Sequence, residues 1–121
     1  MGSREGTKGG KIMVINLVNL TPHPVTVVDQ DGGTILTVQP SGQVLRLPEV
    51  TTPAGEIQGV PLVRKALDPA AELPPRQKGT YYIVSLPVAQ AARREDFIIP
   101  DDLVRDKQGR VIGCRRFAVV A

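Results

Sequence analysis

The chain has 121 residues, a formal net charge of +3, 3% aromatic residues, one cysteine and no tryptophan. This length fits a single domain. The 11 prolines exclude a helical bundle, because proline costs about 3 kcal/mol inside a helix. This small net positive charge does not indicate binding to duplex nucleic acid. A single cysteine cannot form an internal disulfide and fits a reducing cytoplasm. The apolar run near the N-terminus is too short to span a membrane.

The first half of the chain alternates short apolar runs with turn residues. Residues 1–10 are polar and glycine-rich, which predicts a disordered lead-in before one globular domain over 11–121. Apolar runs and apolar–polar alternation predict four strands. These strands are expected at 11–20, 25–29, 34–39 and 43–50.

The second half predicts more strands and the one helix of the chain. Two extended pieces surround Gly59, and a proline-rich surface loop follows over 68–79. Residues 80–86 give the clearest prediction of a buried strand, and a short helix is expected near 87–95 because Pro87 suits a first helical turn. The segment from 97 to 120 predicts further strands around a turn. The expected fold class is mainly β (α+β): a compact antiparallel domain with one short helix.

The single histidine and the single cysteine are the first candidates for chemistry. His23 lies between Pro22 and Pro24. The favoured interpretation is an extended corner that hydrogen-bonds backbone, and the alternative is a role in binding. Cys114 precedes two arginines, which lower a thiol pKa, but strand alternation predicts that it is buried. No spacing of ligands indicates a metal, and no motif indicates a cofactor.

Catalytic signatures are missing from the sequence. It contains no phosphate-binding loop that ends in Lys and Ser or Thr, no G-x-S-x-G elbow and no H-E-x-x-H motif. We therefore expect that the chain is not an enzyme. The alternative is a hydrolase that uses Asp96, Asp101 or Asp106 as a base.

Arginines are concentrated near the C-terminus. Six lie between residues 93 and 116. Helix ends and exposed strands favour cations, so each has a structural explanation. The functional interpretation is a pocket in which guanidinium groups bind phosphate. In that pocket Phe97, Tyr81 or Tyr82 would stack on a base.

Several stretches together resemble a family of small proteins encoded by phages and prophages. The stretches are "NLTPHPVTV", "PSGQVLRL", "GEIQGVPLV", "GTYYIVSLPVAQAA" and "LVRDKQGRVIGCRRF", and the resemblance covers residues 16 to 118. The chain is similar to viral anti-defence sponges, in particular the anti-Thoeris sponge family. That resemblance implies a homo-oligomer that sequesters a cyclic ADP-ribose-type or cyclic nucleotide immune signal without cleaving it. It also implies the host bacterial cytoplasm as the location.

The resulting hypothesis assigns ten ligand-binding residues. Arginines are assigned to bind the phosphate, and two aromatic residues are assigned to stack on the base. Residues of the "NLTPH" stretch are assigned to contact the polar edges of the ligand. These residues are Arg93, Arg94, Arg105, Arg115 and Arg116, then Phe97 and Tyr82, then Asn19, Thr21 and His23. The runner-up is a phage accessory or structural protein whose β edges make only subunit contacts.

Overall fold

Eight strands and one helix form residues 14–121, which are the residues that the computed structural model describes. The strands are β1 (Asn16–Asn19), β2 (Val25–Val28), β3 (Thr34–Val38), β4 (Glu49–Ile57), β5 (Val60–Leu67), β6 (Thr80–Ile83), β7 (Phe97–Arg105) and β8 (Val111–Val119), and the helix is α1 (Leu86–Ala92). The expected fold class, mainly β with one short helix, is confirmed. The predicted lead-in at 1–10, and the start of the strand predicted at 11–20, lie outside the described residues.

Six of these strands form one curved sheet in the order β1-β6-β7-β8-β2-β3. The longest ladder in this sheet, between β7 and β8, is antiparallel, as is the β2–β3 pair. The β1–β6, β6–β7 and β2–β8 pairs are parallel. A bridge between Asn19 and Pro40 joins the two ends of the sheet, and the Ser41 N–H donates to the Asn19 carbonyl at 2.9 Å. The sheet therefore closes into a small barrel.

The barrel interior is filled by aliphatic side chains because the chain has few aromatic ones. All six strands contribute to this cluster, and its two members on β2, Val25 and Val27, alternate along the strand as the pleat requires. It contains Val25, Val27, Ile83, Ile98 and Cys114, with Leu17, Val38 and Phe117 packed against them. Burying such side chains is worth roughly 1.5–3 kcal/mol each, so this cluster is a main source of stability.

A second apolar cluster lies on the outside of the barrel under α1. Val88 and Ala89 are the buried residues of the helix, and they pack with Tyr82, Val84 and Phe97. Pro87 stands in the first turn, where its missing N–H costs nothing. The helix ends at Ala92 because Arg93 adopts a left-handed conformation, φ 53°, and its N–H bonds back to Ala89 O. The helix is therefore shorter at its C-terminal end than the predicted helix, which extended to residue 95.

The segment 43–50 corrects another sequence prediction. Only Glu49 and Val50 belong to a strand, and residues 43–48 have no regular structure. The predicted alternation is present, since Leu45 and Leu47 pack against the outer cluster. No neighbouring strand forms a ladder with this segment, whose one backbone bond to the barrel is from the Leu45 N–H to Leu20 O at 3.0 Å. Side-chain pattern alone cannot supply a strand partner.

Strands β4 and β5 form a separate two-stranded sheet, which we call the β4–β5 ribbon. It corresponds to the two extended pieces predicted around Gly59, although both are longer than expected. Gln58 and Gly59 form the turn with positive φ values of 50° and 82°, which is typical of a tight hairpin. Nearly all of its residues are exposed, and Leu67 at its base packs against the outer cluster.

Candidate functional site

The "NLTPHP" stretch forms a corner organised by a buried asparagine. Asn19 is 1% exposed, and its Nδ2 donates to His23 O at 2.8 Å and to Val38 O at 3.1 Å. Its Oδ1 accepts from the Thr21 N–H at 2.9 Å and from the Thr21 hydroxyl at 2.7 Å. The side-chain amide therefore joins the end of β1, the turn after it and the end of β3.

This network bears on three of the predicted ligand contacts. The amide of Asn19 uses both of its N–H groups and accepts twice within the chain, so it has no donor left for a ligand. The Thr21 hydroxyl also lies 3.1 Å from His23 O, an alternative acceptor for its one proton. The imidazole of His23 is exposed, and only its backbone carbonyl takes part in the network. The structure thus agrees with the interpretation of this stretch as a corner.

Arg94, Tyr82 and Phe97 lie together, but as a packed unit rather than an open pocket. Phe97 is 0% exposed and Tyr82 is 6% exposed. Their rings meet edge to face with centroids 5.9 Å apart, and the Tyr82 hydroxyl donates to Pro75 O at 2.8 Å. The prediction that Phe97 and Tyr82 stack on a ligand base disagrees with this arrangement, because neither ring has a free face.

The guanidinium of Arg94 is fully used by the chain itself. Its Nε and Nη2 donate to the two carboxylate oxygens of Asp96 at 2.9 and 2.6 Å, and its Nη1 donates to Pro74 O at 2.8 Å. Its Cζ lies 4.4 Å from the centroid of the Phe97 ring. The assignment of Arg94 to ligand phosphate therefore disagrees with the structure, since a phosphate would have to displace a bidentate ion pair.

Arg115 and Arg116 face carboxylates on the neighbouring strand β7. Arg116 Nε donates to Asp101 Oδ2 at 2.7 Å, and Arg115 Nη1 lies 3.8 Å from Asp102 Oδ1. The Arg115 Nε is buried and has no hydrogen-bond partner among the described residues. Both side chains remain partly open to solvent, so they keep donors that a ligand could reach.

The two remaining predicted arginines are exposed and far apart. Arg93 caps α1, and Arg105 ends β7, where its Nη1 donates to Gly109 O at 2.9 Å. Strand β7 has nine residues, so its ends are roughly 25 Å apart at about 3.3 Å per residue. Eight of the ten predicted residues therefore form three separate groups, Arg93 and Arg105 lie outside them, and the ten do not line one pocket.

Cys114 faces the barrel interior and is 1% exposed, as alternation along β8 predicted. Burial raises the pKa of its thiol, which keeps it protonated and unreactive at neutral pH. A cavity of about 120 Å³ lies beside it, between β2 and the β7–β8 hairpin, with Pro24, Leu103 and Ile112 among its walls. This environment is that of a packing residue rather than a nucleophile.

A polar groove was missed by sequence reasoning. It lies between the loop that precedes β6 and the turn that precedes β7, with a volume of about 220 Å³. Arg76 and Tyr81 line it, and Tyr81 is 38% exposed. The sequence did contain one signal: of two adjacent tyrosines on a strand, alternation sends one to each face.

The Arg94–Asp96 pair makes stability depend on pH. Hydrogen bonds from Arg94 lower the pKa of the Asp96 carboxyl below its usual value, which is about 3.9 in unfolded chains. A carboxyl whose pKa is lowered by folding stabilises the fold above its unfolded pKa, and that stability is lost as pH falls through the lowered pKa. We therefore expect the free energy of unfolding to fall below about pH 4.

Urea titrations from neutral to acidic pH would measure this dependence, with Asp96→Asn as the matched variant. The variant should show a flatter profile, because it has no carboxyl to protonate at this position. Hydrogen bonds from Arg116 and Arg110 also lower the pKa values of the partly exposed Asp101 and Asp106 carboxyls. High salt in all samples weakens those partly exposed pairs by screening. Identical profiles for both proteins would contradict the expectation.

Comparison with known proteins gives no relative. No protein-family model, curated protein or solved structure matches this chain. Within residues 14–121, no helix has the length and apolar character needed to cross a membrane. Across the same residues, no three side chains among His, Cys, Asp and Glu come together as metal ligands.

Proposed function

We propose that this chain is a non-catalytic, homo-oligomeric binding protein that sequesters a small nucleotide-derived signal in the cytoplasm of a bacterial host. The resemblance to viral anti-defence sponges supplies the ligand class, a cyclic ADP-ribose-type molecule or a cyclic nucleotide. The observation that carries the proposal is the β4–β5 ribbon, whose apolar face is exposed within residues 14–121 and suits contact with a second subunit.

The register of the ribbon defines this face. Residues directly opposite in an antiparallel pair share a face, and neighbours along a strand alternate. Ile57 pairs with Val60, and Leu62 lies on the same side of the ribbon. Val50 is also on this side, beyond the Thr52–Arg64 pair. The exposed fractions of Ile57, Val60, Leu62 and Val50 are 60%, 63%, 42% and 44%, respectively. We call these four residues the apolar face of the ribbon.

A two-stranded ribbon is marginally stable by itself in water. The opposite face carries the Glu49–Lys65 ion pair, whereas the apolar face has no core cluster of the described chain packed on it. Exposed apolar side chains grouped on one face, here Ile57, Val60 and Leu62 with Arg64 and Val50 beyond them, mark an interaction surface. Association of two copies through this face would bury it symmetrically.

The edges of the ribbon favour packing through the face over strand addition. Pro53 lies within β4 and Pro61 within β5. A proline fits a ladder where its nitrogen points away from the neighbouring strand, so each outer edge lacks a donor. Strand addition needs those donors, whereas face-to-face contact does not.

The carboxylates disfavour the hydrolase alternative. Asp96, Asp101 and Asp106 each accept hydrogen bonds from an arginine, and these bonds lower the pKa of each carboxyl. A general base works best with a pKa near the operating pH. Carboxylates stabilised in this way are weaker bases than ordinary ones.

One observation favours the accessory or structural role. The arginines that were assigned to phosphate pair with carboxylates of the same chain, notably Arg94 with Asp96 and Arg116 with Asp101. In that case the ribbon would make subunit contacts and no small molecule would bind.

A thermal-shift series separates these functions. The purified protein would be mixed with cyclic ADP-ribose isomers, ADP-ribose, NAD and cyclic di- and trinucleotides, and the ligand would be recovered by denaturation and identified by chromatography. A ligand at 100 times its dissociation constant adds about 2.7 kcal/mol of stability. A shift with intact ligand supports sequestration, a shift with altered ligand supports a hydrolase, and no shift across the panel supports the structural role.

The ribbon predicts an effect on assembly that adjacent residues can test. Leu62→Arg places a charge on the apolar face, and we expect it to raise the dissociation constant of the oligomer tenfold or more, as at interface hot spots. The control is Val63→Arg, because Val63 is 45% exposed, close to the 42% of Leu62, but lies on the opposite face. Light scattering after size exclusion measures the mass, and equal masses for the two variants over a dilution series would contradict the assigned face.

A further inference from the structure

The polar groove beside β6 combines the groups that recognise a nucleotide. It has a volume of about 220 Å³ and is framed by the loop before β6 and the turn before β7. Residues of three kinds line it: a tyrosine, an arginine and acidic residues. The lining residues are Arg76, Gln77, Gly79, Thr80, Tyr81, Glu95 and Asp96.

Tyr81 is the most accessible aromatic side chain in residues 14–121. Phe97 and Tyr82 are buried, and Phe117 packs against the barrel interior. Tyr81 is 38% exposed; alternation along β6 separates it from Tyr82 and puts it near the start of the strand on the same face as Ile83. A base that stacks on this chain therefore has Tyr81 as its available platform.

The loop that carries Arg76 is held in place by the core. The Tyr82 hydroxyl donates to Pro75 O at 2.8 Å, and Arg94 Nη1 donates to Pro74 O at 2.8 Å. These two bonds fix the residues immediately before Arg76. The groove is thus formed before any ligand arrives, which lowers the entropic cost of binding.

Of the charged groups that line the groove, one guanidinium and one carboxylate are available to contact a ligand. Asp96 is neutralised by Arg94, whose Nη2 lies 2.6 Å from its carboxylate. Arg76 Nη1 lies 3.8 Å from Asp96 Oδ1, with 66% of its side chain exposed. Its guanidinium can therefore turn to an incoming phosphate at little cost. Glu95 is exposed and forms no ion pair within the described part of the chain.

We propose that this groove holds one ribonucleotide moiety of the sequestered ligand, an inference that rests on the proposed function. The base stacks on Tyr81, a phosphate oxygen accepts from Arg76, and the ribose hydroxyls donate to the Glu95 carboxylate. The groove is smaller than the roughly 300 Å³ or more of pockets that enclose a whole drug-sized ligand. One subunit therefore buries one end of the ligand.

Tyrosine fluorescence gives a direct readout, since the chain has two tyrosines and no tryptophan. Tyr82 is buried, so the response to a bound nucleotide comes from Tyr81. Adenosine monophosphate and ADP-ribose serve as probes, with binding also measured by calorimetry on the full chain. Tyr81→Ala should weaken binding about tenfold, within the range for loss of one stacked base. Tyr81→Phe keeps the ring and should bind as the wild type does.

Charge variants test the other two contacts. Arg76→Ala should weaken binding about tenfold, whereas Lys78→Ala, an exposed neighbour in the same loop, should leave it unchanged. Deoxyadenosine monophosphate should bind more weakly than adenosine monophosphate, and Glu95→Gln should reduce that difference. Thermal unfolding of each variant confirms that the fold is retained.

The outcomes separate the groove from the proposed function. If the wild type binds nucleotide and neither Tyr81→Ala nor Arg76→Ala weakens that binding, the groove is not the binding site, whereas the proposed sequestration still stands. Binding of the mononucleotide at Tyr81 without binding of any cyclic signal supports the groove and overturns the proposed signal class. Binding of no nucleotide by the wild type overturns both.

Discussion

Replacing Arg94 with alanine is expected to lower the free energy of unfolding by about 3 kcal/mol, the lower end of the range for breaking a buried ion pair. The side chains of Arg94 and Asp96 are only 10% and 14% exposed. The substitution leaves Asp96 with only the distant Arg76 at 3.8 Å, frees Pro74 O and uncovers the Phe97 ring. Denaturant unfolding at neutral pH, with an unchanged m-value, measures the loss.

The neighbouring Arg93 supplies the control for this prediction. Arg93 is exposed, and Arg93→Ala removes the same charge, so we expect a change within about 0.5 kcal/mol, as at ordinary surface positions. If both variants unfold at the same denaturant concentration, Arg94 is not structural. Weakened ligand binding at full stability in Arg94→Ala would restore the original assignment of Arg94 to phosphate.

Replacing Asn19 with alanine is expected to cost about 3 kcal/mol or more, because buried groups left without partners cost about 1–3 kcal/mol each. The amide side chain of Asn19 is buried and makes four hydrogen bonds that connect β1, the corner after it and the end of β3. Its loss leaves Val38 O without this donor at the seam where the barrel closes. Calorimetry and urea unfolding would measure the change.

His23 is the matched control for Asn19. Its imidazole is exposed, and its carbonyl, which any residue supplies, is the group in the network. His23→Ala should therefore leave stability within about 0.5 kcal/mol of the wild type. Equal stability of Asn19→Ala and the wild type would contradict the structural role of the amide and return Asn19 to the list of ligand contacts.

Local sequence signals predicted the β-rich class well. Branched aliphatic residues with frequent glycine and proline predict short strands, and two extended pieces were predicted on either side of Gly59, where the positive φ favours glycine. The burial of Cys114 also followed from alternation along one strand. Each of these predictions depends on neighbours that are close in the chain.

The candidate site could not be predicted in the same way. Arginine spacing indicated phosphate, but it does not reveal which arginine meets a carboxylate. Asp101 faces Arg116 across the β7–β8 ladder, 15 residues away in the chain, and Pro74 and Phe97 meet Arg94 from different segments. The parallel pairing of β1 with β6 likewise joins segments that no local pattern links.

The sequence by itself therefore determined the class of fold, the turns and the side of β8 on which Cys114 lies, because these follow from backbone preference and side-chain period. Tertiary structure alone decided that Phe97 and Tyr82 are core residues and that Arg94 is held by Asp96. It also decided that Tyr81 and Arg76 share a groove. Burial and ion pairing depend on contacts between distant segments, and those contacts exist only once the barrel has closed.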